Sequence, residues 1–118
     1  MANNNSGLAI NNDVIARMAE MATLETEGVV ALANGPLSVP KILGKKGGTK
    51  SVTVSTEQGI IDIELYVKVN DSAKVCDIAE KIQFSVKEKL QGMTGSAVTR
   101  VNVVITDVEL SEETVENN

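Results

Sequence analysis

Residues 70–107 read NDSAKVCDIAEKIQFSVKEKLQGMTGSAVTRVNVVITD, and the hydrophobic period changes once within them. Val75, Ile78, Ala79, Ile82, Val86, Leu90 and Met93 recur at steps of three and four, which places them on one stripe of an α-helix. After Gly92-Met93-Thr94-Gly95 the period falls to two. Val101, Val103 and Ile105 alternate with Arg100, Asn102 and Thr106, the pattern of a strand with one buried face. A helix stripe and a strand face joined by a short elbow must pack on each other or on a shared sheet.

Upstream, Val52 and Val54 alternate with Ser51, Thr53 and Ser55, and Thr56-Glu57-Gln58-Gly59 forms a turn signal. Ile61, Ile63, Leu65, Val67 and Val69 then make one face of a longer strand, with Asp62, Glu64, Tyr66 and Lys68 on the other. Asp71 or Ser72 is expected to cap the helix that follows. A first helix is expected from Asn12, as N-cap, to about Glu25, with Val14, Met18 and Met21 leading its apolar face and Ile15, Ala19 and Ala22 beside them. Gly28 terminates that region, and residues 28–32 read as a short strand or extended entry. Between 34 and 50 lie both prolines and four glycines, the signature of a long loop.

Helix, extended entry, loop, hairpin, helix, strand is the order of an α+β domain. The expectation is a small mixed sheet of three to four strands with two helices packed on one face. The strand of the 60s and the strand at 98–107 flank a helix, so they are expected to pair in parallel. Residues 1–7 read as a flexible leader, 8–108 as a single domain and 109–118 as an acidic tail.

Composition narrows the function. The chain has 118 residues, a net charge of −5, one Phe, one Tyr and no Trp. Few aromatics are available to stack on bases, and the acidic balance opposes binding to nucleic-acid phosphates or anionic lipid. There is no His, which removes the usual neutral-pH general base and the commonest metal ligand. Cys76 is the single cysteine, expected as a buried or half-buried structural thiol. No apolar run approaches the ~20 residues of a membrane span. No enzyme, metal or cofactor is expected, and the expected location is cytoplasmic.

Three features remain as candidate sites. Lys45, Lys46 and Lys50 lie in a glycine-rich loop that could hold an anion or RNA, although the spacing is not that of a phosphate loop; a solvated loop is the plainer reading. Asp62 and Glu64 stand two apart on a polar strand face, where acids commonly meet only water, with Lys68 as a nearby counter-charge. Phe84 falls about 200° around the helix from Ile82, among charged residues, as either a partner anchor or a residue covered by another element.

Gln83 with Val86, then Met93-Thr94-Gly95, then Val98 and Val101-Asn102-Val103 resemble the C-terminal signature of the alkaline-shock-protein family, bacterial envelope-stress proteins also called Gls-type general-stress proteins. Leu8-Ala9-Ile10, Ile15-Ala16 and Glu27-Gly28-Val29 agree with its upstream pattern, so the resemblance spans roughly 8–108. One departure is Val69-Asn70-Asp71, where the family often has a tyrosine-glycine step. The resemblance implies a non-catalytic structural or scaffolding protein that self-associates or binds another protein, in some members one anchored in the membrane. On that basis Asp62, Glu64, Tyr66 and Phe84 form the candidate interaction surface. The alternative is a regulatory binding module for an anionic ligand or RNA through Lys45 to Lys50.

Overall fold

The computed structural model describes residues 10–35 and 46–111. In chain order these form α1 (Asn12–Leu24), β1 (Val29–Leu32), β2 (Lys46–Gly48), β3 (Val52–Glu57), β4 (Ile60–Asn70), α2 (Val75–Thr94) and β5 (Ala97–Glu109). The leader, residues 36–45 and the end of the tail lie outside the described residues.

The α+β class is as expected, and β4 is the axis of the sheet. β5 pairs with β4 in parallel from Ile60↔Ala97 to Asn70↔Glu109 and occupies one whole edge. The other edge is shared. β3 pairs antiparallel with residues 60–65, and β1 pairs antiparallel with residues 67–69. Tyr66 sits at their junction, its N–H donating to the Ser51 carbonyl (3.0 Å) and its carbonyl accepting from Ala33 N–H (2.8 Å). β2 adds to the far side of β3, so the sheet counts five strands.

The β3–β4 hairpin closes on Gln58 (φ 55°) and Gly59 (φ 79°), two positive-φ residues in the tight turn whose twist matches paired strands. β5 carries two irregularities against β4, at Thr99 and Thr106. Each extra residue is a threonine, whose hydroxyl donates to a β4 carbonyl: Thr99 to Ile61 (3.5 Å) and Thr106 to Val67 (3.2 Å). These bonds restore part of what a bulge removes from the ladder.

Both helices cover one face. Ile61, Ile63, Leu65, Val67 and Val69 of β4, Val52 and Val54 of β3, and Val98 and Val101 of β5 are buried beneath them. From α2 come Ile78, Ile82, Val86 and Leu90, each fully burying a side chain worth ~1.5–3 kcal/mol. Met93 continues the sequence stripe but is exposed, because it lies in the last turn where the helix leaves the sheet. Gly95 ends α2 in the left-handed conformation (φ 75°), its N–H donating to the Gln91 carbonyl (3.0 Å).

The face of α1 is rotated by one residue from the expectation. Ile15, Ala16, Ala19, Ala22 and Thr23 are buried, whereas Val14 and Met21 are about half exposed at 45% and 54%. Alanines at the contact let the helix lie close to the sheet, and longer side chains are turned out. The caps shift too. Asn11, not Asn12, is the N-cap of α1, its side chain accepting from Asp13 N–H at 2.7 Å. Lys74 precedes α2 without a side-chain cap, while Asp71 accepts from Ser111 N–H (2.8 Å) and Asn70 from Ser72 N–H (2.9 Å).

β2 falls within the stretch expected as loop. Lys46-Gly47-Gly48 has no apolar residue to mark it. Acids of α1 tie it down: Asp13 accepts from Gly48 N–H (3.1 Å) and Glu20 from the Thr49 hydroxyl. Thr49 Oγ1 in turn accepts from Val52 N–H (3.2 Å), fixing the start of β3.

Candidate functional site

The face of the sheet away from the helices is covered by no helix among the described residues. It is ordered in rows across paired strands: Ser55, Asp62 and Arg100; Thr53, Glu64 and Asn102; Tyr66 and Val104; Ala31, Lys68 and Asp107. Successive side chains along a strand point to opposite faces, so these residues share the surface that the buried valines and isoleucines leave.

Charge is paired across strands rather than along them. Arg100 lies 3.8 Å from Asp62, and Lys68 lies 3.8 Å from Asp107. Lys68 is therefore not the counter-charge of Asp62 and Glu64. Two residues along a strand span about 6.6 Å, whereas a neighbouring strand is only about 4.8 Å away. Asp62 Oδ1 lies 3.3 Å from the Thr99 hydroxyl and shares its single proton with the Ile61 carbonyl. Exposed ion pairs of this kind contribute little to stability.

Tyr66 stands at the centre of the face. Its hydroxyl donates to Glu64 Oε2 at 2.8 Å. That hydrogen bond, with partial desolvation and the carboxylate charge acting in the same direction, raises the phenol pKa above its ordinary 10.0. The backbone of Gly35 lies against the ring, since a Cβ there would sit 2.7 Å from Tyr66 Cε1. The ring is thus held by a hydrogen bond at one end and by chain packed on one side.

Phe84 is 66% exposed and belongs to the other layer. It sits on α2 opposite the residues that pack on the sheet, so it does not join Asp62, Glu64 and Tyr66 in one surface. Cys76 is exposed at the start of α2, not buried. Of the lysines, Lys45 lies outside the described residues, Lys46 pairs with Ser55 through its backbone, and Lys50 is exposed, its carbonyl accepting from Gly35 N–H at 2.8 Å. Among the described residues no three His, Cys, Asp or Glu side chains gather as metal ligands, and no helix is long and apolar enough to cross a membrane.

Sequence reasoning missed the cross-strand partners Arg100 and Asp107, since their position depends on the parallel register and its two bulges. Gln83 and Gln91 also act in a way their types do not advertise. Both reach from α2 to the backbone of β5, Gln83 Nε2 donating to the Val101 carbonyl (3.1 Å) and Gln91 Oε1 accepting from Val98 N–H (3.2 Å).

Residues 1–110 match the model of the alkaline shock protein 23 family, described as having a cell envelope-related function. The chain belongs to that family. Among curated proteins it is similar to the uncharacterized protein YloU of Bacillus subtilis (strain 168), 30% identical over 105 residues that cover 86% of this chain and 88% of that protein. It is also similar to the uncharacterized protein YqhY of the same organism, 25% identical over 105 residues, covering 88% and 78% respectively. Among solved structures, a histidine-to-alanine variant of MamM-CTD aligns with a TM-score of 0.50 at 13% identity, covering 86% of this chain and all of that one. That likeness extends to the fold alone. Family membership agrees with the resemblance carried by Gln83, Met93-Thr94-Gly95 and Val101-Asn102-Val103.

Proposed function

We propose that this protein is a non-catalytic interaction module serving the bacterial cell envelope or its stress response, which works by self-association or by binding another protein. The observation that carries the reading is the open sheet face. It is a broad surface that carries Asp62–Arg100, Lys68–Asp107 and Glu64–Tyr66, with no helix over it among the described residues. A broad surface with a central aromatic and a charged surround suits a protein partner.

The envelope assignment rests on the family. The module acts from the cytoplasm and meets the membrane through a membrane-anchored partner, not by inserting itself. The face carries Glu57, Asp62, Glu64, Asp107 and Glu109 against Arg100 and Lys68, so the matching partner surface is basic.

The test is affinity capture from the native host with the tagged full chain, compared with a Tyr66→Ala, Glu64→Lys double variant whose folding is verified by circular dichroism. Loss of the same identified proteins from the variant supports the reading. Their full retention refutes the face as the contact.

A further inference from the structure

The edge of β5 away from β4 is half protected, and the protection follows a rule. Tyr66 turns both its N–H and its carbonyl to the β3/β1 side, so the odd-numbered residues of β4 turn theirs to β5. Their register partners on β5, namely Val98, Val101, Val103, Ile105 and Val108, then direct their own backbone groups to the open edge. Gln91 and Gln83 satisfy Val98 N–H and the Val101 carbonyl there, and Asp107 accepts from Val108 N–H at 2.9 Å. Between these capped positions, the N–H and carbonyl groups of Val103 and Ile105 meet no strand or side chain among the described residues.

The gap has a cause in α2, which links two parallel strands and so runs opposite to β5. Gln83 is level with Val101. Four residues towards the start of the helix span about 6 Å, or two strand residues, which brings Ala79 level with Val103. A methyl group caps nothing and leaves room beside the edge.

We infer that this uncapped stretch pairs with the same stretch of a second copy, antiparallel about a two-fold axis through Val104, so that two five-stranded sheets become one. The inference deepens the interaction-module reading and rests on it, but it places the contact on an edge rather than on the open face. The capping selects the register. An axis at Val103 would set Ile105 against Val101, whose carbonyl Gln83 holds; an axis at Ile105 would set Val103 against the bulge, where Val108 N–H is taken. An axis at Val104 uses only Val103 and Ile105, each pairing with the other.

Charge then favours a second copy over an arbitrary strand. The outer face of β5 runs Arg100, Asn102, Val104, Asp107, Glu109. Reversing that order about Val104 sets Arg100 opposite the second copy's Glu109, Asn102 opposite its Asp107, and Val104 against itself. On the helix side Val103 meets Ile105. Opposite charges and apolar pairs facing across strands stabilise the pairing, although the chain as a whole is acidic.

The test uses the full chain. Sedimentation equilibrium is expected to show a concentration-dependent dimer, which Val103→Pro weakens by at least about tenfold, because that N–H serves the edge and not the β4 ladder. Arg100→Glu and Glu109→Arg are each expected to weaken the dimer about fivefold or more, and together to restore it. In a Cys76→Ser background, Val104→Cys is expected to form an intermolecular disulfide under mild oxidation, since residues facing each other without hydrogen bonds lie about 4.5 Å apart. Asn102→Cys, far from its own symmetry mate, is expected not to. If Val103→Pro fails to fold, the charge pair and the crosslinks decide. A strict monomer at about 200 micromolar overturns the edge pairing, that being too weak for specific association. So does a dimer indifferent to the charge reversals, or one that crosslinks equally through position 102. A dimer abolished by Tyr66→Ala alone overturns the edge while leaving the open-face reading standing; full retention of the captured proteins by Tyr66→Ala, Glu64→Lys while the edge variants behave as expected does the reverse.

Discussion

Gly28→Ala tests how the two layers are joined. Gly28 lies between α1 and β1 at φ 100°, and its carbonyl accepts from Asn70 N–H at 2.9 Å, anchoring β1 to the end of β4. A Cβ there would lie 2.7 Å from Ile78 Cδ1 and 2.9 Å from Cγ1, and Ile78 is buried at the first turn of α2. Two costs therefore add. Holding an L-residue at positive φ costs about 1–2 kcal/mol. Forcing a methyl into a packed core costs about 1–3 kcal/mol more. The sum, about 2–5 kcal/mol, is a large share of the 5–15 kcal/mol typical of a domain. Gly59→Ala separates the two, since Gly59 also has positive φ (79°) but a Cβ there meets nothing within 4 Å. Ile78→Val removes Cδ1 and alone costs about 0.5–1.5 kcal/mol. Combined with Gly28→Ala, it is expected to cost less than the sum of the singles by about 1 kcal/mol. Urea denaturation followed by circular dichroism measures all four variants. The reasoning is refuted if Gly28→Ala costs no more than Gly59→Ala, or if the pair is additive within about 0.5 kcal/mol.

Ala19→Leu places a larger side chain where α1 lies against the sheet with no exposed surface, and is expected to cost at least about 1–3 kcal/mol in the same assay, whereas Phe84→Ala, on the exposed face of α2, stays within about 0.5 kcal/mol. Tyr66 is the single tyrosine, so absorbance at 295 nm reports it alone. Its ionisation is expected above 10.0 in the native protein and nearer the ordinary value in Glu64→Ala. Because the native pKa is raised, this group's stabilising contribution is present below pH 10 and disappears as pH rises through the native pKa, which alkaline unfolding of the native protein against Glu64→Ala will detect. Thr106→Val removes the hydroxyl that donates to the Val67 carbonyl and is expected to cost about 0.5–1.5 kcal/mol by thermal unfolding.

What was legible in the sequence follows from what periodicity can report. The stripe from Ile78 to Leu90 and the alternation of Ile61 to Val69 each face one layer for their whole length, so hydropathy alone marks them. The parallel pairing of β4 and β5 followed from the helix between them. Periodicity misplaces the face of α1 because alanines make a closer contact than Val14 or Met21, a matter of distance to the sheet that hydropathy does not encode. β2 was hidden for a related reason: Lys46-Gly47-Gly48 buries no apolar side chain, and the acids that place it, Asp13 and Glu20, lie about 30 residues away in sequence. The open face could be listed residue by residue, but its charge pairs could not, because the bulges at Thr99 and Thr106 set which β5 residue meets Asp62 and Lys68. The expected interaction surface of Asp62, Glu64, Tyr66 and Phe84 divides in the two-layer architecture, because Phe84 lies on α2 and the other three on the open face of β4.

The central claim, that the domain acts through its open sheet face, is tested most directly by photocrosslinking in the native host with benzoylphenylalanine at position 66 or at position 84, adducts being identified by mass spectrometry. The account predicts discrete protein adducts from position 66 and background from position 84. Specific adducts from position 84 with background at position 66 would contradict it.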